Sequence, residues 1–364
     1  MLPACRTPGE LNDPPPFDLT PDEVEGFVDE LRRFHARFRH CFGRSEPRDH
    51  FFRSMMGQFS ALERKSIEPI ALQTPATSIR AMQRSLSDVA WDEAQMRQTY
   101  HHLVAANLGE LDGVVMVDET GFAKKGQDSV GVARQYCGSL GQVETCQVGV
   151  FVGDASRHGD ALVDKRLFIP EQWFRDDYAA RRAKCGLPAD VTLQSKPQLA
   201  AAMVRDLDAE GVLPFRALVA DCLYGNSPEC WTACEACVGT VPFVSIPEDT
   251  RAWRAPVATH HRSYRYRGEQ RSKREILRPA TPACPVAQLA QALRRGAWDR
   301  RTVAEGTKGP IAYACARCRV TLCKEGQPTQ TVWLIIKRTL GDEPTYWYDL
   351  SNAPLSPPLS RFVW

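Results

Sequence analysis

Long apolar runs are missing from this chain. Those present are short, such as VWLII at 332–336, against the ~20 consecutive apolar residues of a membrane-crossing helix. The opening MLPACRTPGE has no apolar core of the kind a secretory signal carries. No internal repeat is visible, and a large net charge is also lacking, at +2. These absences predict no membrane association and no export. The 13 cysteines are then expected to be reduced thiols in a cytoplasmic protein. What remains is ordinary for a globular chain: 43% hydrophobic and 25% charged residues over a length of 364, enough for two or three modest cores.

The small net charge hides local asymmetry. Residues 10–30 hold eight acids and no Lys or Arg, whereas 32–53 hold seven arginines against two acids. Residues 251–278 hold nine Lys and Arg against two acids, interleaved with Trp253, Tyr264 and Tyr266. Cations mixed with aromatics suit phosphate contact and base stacking. A solvated surface is the plainer alternative.

Residues 1–16 are Pro-rich and read as disordered. Thr20, Pro21, Asp22 and Glu23 supply a cap, a first-position proline and first-turn acids, so a helix starts there. Further helical patterns extend to about residue 108. Residues 17–110 are expected to form a helical DNA-binding domain with an arginine-rich face. Strands are predicted at 114–117, 131–137 and 147–152, as a meander. A helix at 196–210 has Pro197 near its start and Gly211 past its end. Next come a strand at 215–220, a helix at 228–238 and a strand at 241–246. The order β-β-β-α-β-α-β predicts an α/β fold with a mixed sheet. Beyond Pro247 the chain turns basic and aromatic, with a short helix at 289–293 and strands at 331–339 and 346–350.

Two of these strands end in aspartate: Asp118 in VVMVDETGF and Asp221 in ALVADCLYG. The first and fourth strands can lie side by side, which brings the two carboxylates together. An acid at the end of a buried strand is costly without a partner. Two such acids and a third can hold two Mg²⁺ ions ~4 Å apart for in-line phosphodiester transfer. Strand-end acids also serve as helix caps or turn residues.

VDETGFAKKG, VGVARQYCGSLGQVETCQVGVF, ADCLYGN and EGTKGP together resemble the DDE (Asp-Asp-Glu) transposases of bacterial insertion sequences. The resemblance is to the IS-four-like superfamily, in its seven-oh-one branch, and runs from about residue 20 to the C-terminus. It implies a ribonuclease-H-like core at 111–246, a β-rich basic insertion at 247–345 and a return to the core at 346–364. It implies a transposase that cuts and joins DNA at terminal inverted repeats, with Mg²⁺ (or Mn²⁺) as cofactor. Asp118 and Asp221 take the positions of the first two catalytic, metal-binding acids. The implied partners are double-stranded DNA, both inverted repeats and target, and a second copy in a homodimeric synaptic complex. The implied setting is the bacterial cytoplasm, at the nucleoid when DNA is bound.

Two departures stand out. Cys222 replaces the acid that usually follows the second aspartate. The third acid of the family follows a segment like LSRFVW, where this sequence stops, so the expectation is a chain truncated before that acid and a weakened metal site. Glu305 lies in the insertion and is the one in-chain candidate considered. The alternative is a catalytically inactive, truncated transposase that only binds DNA.

Other residues follow from position. Lys124 and Lys125, just past the first acid, are candidate DNA contacts. Alternation puts Arg134 on one face with Tyr136, and Gln135 on the other, with Arg134 toward phosphate. Arg262 and Arg265 lie in the basic cluster with His260, His261 and Tyr264, and Lys308 sits in a glycine-flanked basic turn. All six cations are expected to contact DNA. Trp253 and Trp298 are candidate stacking residues or core. Cys234 with Cys237 and Cys315 with Cys318 form two CxxC pairs, which leaves a zinc-binding adaptor as a further alternative. Cys230, Cys234 and Cys237 also match the buried stripe of a helix. His101 and His102 read as surface residues.

Overall fold

A computed structural model describes residues 20–74, 77–237, 239–267, 269–277, 281–306 and 309–353. The Pro-rich start, Lys308 and the final LSRFVW lie outside the described residues. The chain divides into a helical unit, 13–104, and a larger unit from Ala105 onward.

In the helical unit, α1 (Pro21–Ala36) starts at a capping box. Thr20 Oγ1 accepts the Glu23 N–H, and the Glu23 carboxylate accepts the Thr20 N–H at 2.8 Å, which satisfies two donors of the first turn. The remaining helices are α2 (Ser45–Gln58), α3 (Ile67–Gln73), α4 (Ile79–Ser87) and α5 (Glu93–Asn107). Ile70, Ala71 and Met82 form a small core with Leu62, Ile67 and Ile79. His101 is buried, against the surface position expected for it, while its neighbour His102 is exposed. Adjacent helical residues point ~100° apart, so one face of α5 takes only one of them inward.

The larger unit is built on one mixed sheet. β1 (Val114–Ala123), β2 (Ala133–Cys137), β3 (Gln142–Ser156) and β4 (Gly159–Phe168) come first. Then follow α6 (Ala179–Cys185), α7 (Lys196–Glu210), β5 (Ala217–Ala220), α8 (Cys222–Gly225), α9 (Pro228–Ala236) and β6 (Val241–Ser245). β3 is antiparallel to β1 and β4 antiparallel to β3, while β5 is parallel to β1 and β6 parallel to β5. The resulting order β4-β3-β1-β5-β6 with crossover helices is a ribonuclease-H-like fold.

The meander differs in one strand from the sequence expectation. β4 was not anticipated, and β2 is a side hairpin that pairs only with the first residues of β3. β3 is long, so one end of it serves β2 while the rest holds β1 and β4.

The insertion extends the same sheet. It contains β7 (Arg251–Trp253), β8 (Thr259–Tyr266), β9 (Glu269–Ile276), β10 (Cys284–Pro285), α10 (Val286–Gln291), β11 (Asp299–Gly306), β12 (Gly309–Lys324) and β13 (Gln327–Thr339). β14 (Tyr346–Ser351) then returns to lie between β13 and β6. Twelve strands share the sheet, and β8–β9 form a separate two-stranded ribbon.

One face of the core sheet is covered. Val115, Val117, Leu218, Ala220, Val244, Leu334 and Leu350 are buried, and α7 and α9 pack together against β3, β4 and β6. Each large aliphatic side chain buried in this way contributes about 1.5–3 kcal/mol. Cys230, Cys234 and Cys237 are buried on and just past α9, as small core hydrophobes, with Cys315 buried on β12. Trp253 is also core: its indole N–H donates to Thr281 O at 2.7 Å. No helix among the described residues is long and apolar enough to cross a membrane.

Candidate active site

β1 and β5 run parallel, and their last paired residues are Val117 and Ala220. Asp118 and Asp221 are the next residues of each strand, so they stand side by side, one strand spacing of ~4.8 Å apart. β1 itself continues past Asp118 to Ala123, because β3 pairs with it that far. Asp118 is therefore inside a strand, at the point where its parallel neighbour leaves the sheet.

Asp221 also caps a helix. Its Oδ1 accepts the Leu223 N–H at 2.9 Å at the start of α8. The cap uses one oxygen and turns the backbone out of the sheet. Burial of its carboxyl pushes the Asp221 pKa up; the Leu223 hydrogen bond opposes this, and the charges of Glu119 and Asp118 add to it.

Alternation on β1 separates the two acids of VDETG. Asp118 lies on the exposed face with Met116, and its Oδ1 accepts the Glu119 N–H at 2.8 Å. Glu119 lies on the helix-covered face. It receives the Lys196 ammonium at 2.9 Å, from the first turn of α7, and the Tyr224 hydroxyl at 2.6 Å, from α8. Tyr224 is fully buried, and burial followed by the Glu119 bond pushes its pKa up, so it stays a donor. Glu119 therefore ties β1, α7 and α8 together behind the aspartate pair.

Two glycines make close approaches here. A Cβ on Gly225 would collide with the Ser245 carbonyl oxygen on β6. A Cβ on Gly121 would lie 2.7 Å from Cys137 Sγ. The first lets α8 press on β6, and the second lets the β2 hairpin press on β1.

A further acid stands at the same level of the sheet. Asp349 on β14 is paired in register with Ser245 on β6, whose hydroxyl donates to it at 2.6 Å. Burial pushes the Asp349 pKa up, against the Ser245 bond and the Lys337 charge. Ser245 follows Val244, which pairs with Ala220, so two strand spacings, roughly 10 Å, separate Asp349 from Asp221. Among the described residues, Asp349 does not join the pair in a cluster of three acids close enough together to hold a metal ion. Cys222, half-buried between them, has its thiol pKa pushed up by burial first and then by Asp221 and Asp349.

The other candidates are dispersed. Lys124 and Lys125 are exposed just past β1, and Lys124 N–H donates to Thr145 O at 2.9 Å. Arg134 and Tyr136 are exposed on one face of β2, while Gln135 faces the other way and donates to Cys146 O at 3.0 Å. Arg262 and Arg265 are exposed on the separate ribbon. Trp298 carries the Arg338 guanidinium 4.2 Å above its ring. Among the described residues, no three His, Cys, Asp or Glu side chains lie close enough together to hold a metal ion. Sequence reasoning missed Glu119, Lys196, Tyr224 and Asp349. The buried acid beside Asp118 was the signal for the first, since such an acid needs a partner.

The sequence profile of one family, described as DDE superfamily endonuclease, matches residues 37–310. A probable transposase for insertion sequence element IS701 from Microchaete diplosiphon is 29% identical over 177 residues, which are 47% of this chain and 42% of that protein. The chain therefore spans under half the length of this curated relative. Among solved structures, a piggyBac transposase synaptic complex with hairpin DNA is matched with TM-score 0.36 at 9% identity, over 87% of this chain and 54% of that one. By the family profile, which spans most of its length, the chain belongs to the DDE superfamily endonucleases.

Proposed function

We propose that this chain is an insertion-sequence transposase that cleaves DNA strands at terminal inverted repeats and joins them to target DNA. The observation that carries this is the position of Asp118 and Asp221, each directly after the last paired residue of two adjacent parallel strands of a ribonuclease-H-like sheet, in a chain whose family acts through metal-bound acids. Asp118 and Asp221 would hold the divalent ion, Mg²⁺ or Mn²⁺. Their donors are hard oxygens, and Mg²⁺ is commonly held by one or two carboxylates with substrate phosphates completing the set. When bound, the ion lowers the pKa of a water or 3′-hydroxyl and stabilises the leaving oxygen. The chain's own part is to fix the two carboxylates through β1, β5 and the α8 cap, and to keep Glu119 neutralised by Lys196.

DNA lies along basic surfaces in this reading. Lys124 and Lys125 follow the first acid and suit phosphates near the scissile bond. Arg134, exposed on β2, suits the same strand, and Lys308 together with the ribbon that carries Arg262 and Arg265 suits flanking DNA. Residues 17–110 would form a DNA-binding domain, in which a cleft lined by Arg32, His35, Arg48, Asp49, Phe52 and Arg53 suits a phosphate backbone. A homodimer would hold the two element ends. The working compartment is the cytoplasm, at the nucleoid.

The test is a cleavage assay on labelled duplex carrying the element's end, with Mg²⁺ or Mn²⁺, beside Asp118→Asn and Asp221→Asn. Metal-dependent nicking that both substitutions abolish supports the reading. End-specific binding without nicking supports the second reading, a protein that occupies the ends without chemistry. That reading draws on the described residues, in which no three His, Cys, Asp or Glu side chains lie close enough together to hold a metal ion.

A further inference from the structure

The β8–β9 ribbon stands apart from the main sheet, and every described residue from His260 to Arg274 is exposed. A two-stranded ribbon with neither face buried is marginal by itself, and its composition is not that of a core element. Residues 259–276 carry six Lys and Arg, two histidines and two acids. The register sorts them by face, because directly opposed residues share a face and successive residues alternate.

One face is self-compensated. It carries the pairs His260–Glu275, Arg262–Lys273, Tyr264–Arg271 and Tyr266–Glu269. Arg271 is bonded to Glu269 at 3.0 Å, and Arg262 and His260 lie 3.9 and 4.0 Å from Glu275. The Arg271 and Arg267 guanidiniums lie 5.1 and 5.5 Å from the Tyr266 ring. The two acids and both tyrosines of the ribbon are all on this face, and they occupy most of its cations.

The opposite face carries Thr259–Ile276, His261–Arg274, Ser263–Ser272 and Arg265–Gln270. It has no acid and no aromatic ring. Arg274 Nε donates to Thr259 Oγ1 at 2.9 Å, and among the described residues neither Arg265 nor Arg274 is in an ion pair. Two unpaired guanidiniums, a histidine, a glutamine and two serines thus line a narrow polar strip. Each strand has eight residues, so the strip is ~27 Å long. The B-DNA major groove is ~12 Å wide and admits a two-stranded ribbon, and Arg and Gln are the side chains that read guanine and adenine edges there.

We infer that the β8–β9 ribbon is a DNA-reading element that enters the major groove of duplex DNA with its Arg265–Gln270–Arg274 face. Its other face, with Tyr264 and Tyr266, faces away from the duplex. The inference rests on the reading of the chain as a DNA-acting protein, and it separates Arg265 from Arg262, which lies on the compensated face.

The test removes equal charge from each face of the full chain. Arg265→Ala with Arg274→Ala is compared with Arg262→Ala and Arg271→Ala, by fluorescence anisotropy on a mixed-sequence duplex at fixed salt. All four positions are exposed, and circular dichroism melts check that both variants fold. The first pair is expected to weaken binding about tenfold or more, and the second by no more than about threefold. Methylation of guanine N7, which lies in the major groove, is expected to interfere with binding of the unaltered chain and of the second variant only. Equal losses from both pairs, or no loss from either, would overturn the ribbon assignment while leaving duplex binding in place. An unaltered chain that binds no duplex would overturn the DNA reading and the ribbon with it.

Discussion

On the covered face of the sheet, Val115, Val117, Leu218 and Val244 are sealed under α7 and α9, and the acid among them, Glu119, is matched by Lys196 and Tyr224. On the opposite face, Met116 and Val219 remain 41% and 36% exposed, and Asp118 is exposed on the same face with no cation bonded to it among the described residues. The same strand supplies both environments, one residue apart. A carboxylate placed inward is neutralised within the fold. A carboxylate placed outward is left for something that arrives. On the function proposed above, Glu119 takes the structural part and Asp118 the reactive one.

The largest effect that could break this division is on cleavage. Asp118→Asn is expected to reduce metal-dependent nicking at least about a thousandfold, on the order of 4 kcal/mol in barrier, with little change in Tm. Glu119→Gln is expected to lower stability by ~1–3 kcal/mol, because Lys196 then loses its anion in a partly buried setting, while leaving measurable nicking at low temperature. Nicking rates and melts on the two variants together decide it. Glu119→Gln that is fully stable and wholly inactive would mean that both acids are reactive.

The apolar residues of the two faces should separate next. Leu334→Ala empties a fully buried site on the covered face and is expected to cost ~2–5 kcal/mol. Met116→Ala on the open face is expected to cost less than about 1 kcal/mol. Urea denaturation of both would reveal a hidden cover if the two losses were alike. Gly225→Ala falls between them. Its new methyl must displace the Ser245 carbonyl, which is expected to cost ~1–3 kcal/mol and to move Asp221 with α8. Reduced nicking together with a lowered Tm would report that linkage.

Much of the covered side was legible from sequence, because its signals are local. Pro197 and Gly211 bracket α7, which a capping box at Ser195 starts and a left-handed glycine ends. The run ALVA before Asp221 reads as a buried strand, and parallel pairing with β1 follows from the βαβ order. The strand GDALVDKRLF was not legible. Its charges are scattered through it, and buried Asp164 takes the Arg166 guanidinium at 3.1 Å and the Lys165 N–H at 2.7 Å. The Glu119 cluster was hidden for another reason: its partners are 77 and 105 residues away, and no spacing rule joins them. Trp253 gave no local cue that separated stacking from core. The ribbon's two unlike faces were also hidden, since the basic run shows charge but only register shows which cations already have anions.

The smallest expected effect concerns pH, and it compares one buried acid on each face. Asp154, opposite Val115 on β3, lies on the covered side. Burial alone pushes its pKa up, and its Oδ1 has no hydrogen-bond partner among the described residues. Asp349 lies on the open side, where the Ser245 hydroxyl and Lys337 offset part of the same burial. A carboxyl with a raised folded pKa keeps its proton to higher pH than the unfolded chain does, whose aspartates titrate near ~3.9. Between those two values the folded state binds more protons, so stability falls as pH rises, and it levels off above the folded pKa. Asp154→Asn removes a group with nothing opposing its burial, and Asp349→Asn removes one that is partly compensated. Thermal melts from about pH 4 to 8 are therefore expected to flatten more for Asp154→Asn than for Asp349→Asn. The reverse order would mean that water or a neighbouring group satisfies Asp154, and that the covered face is less sealed than its apolar residues suggest.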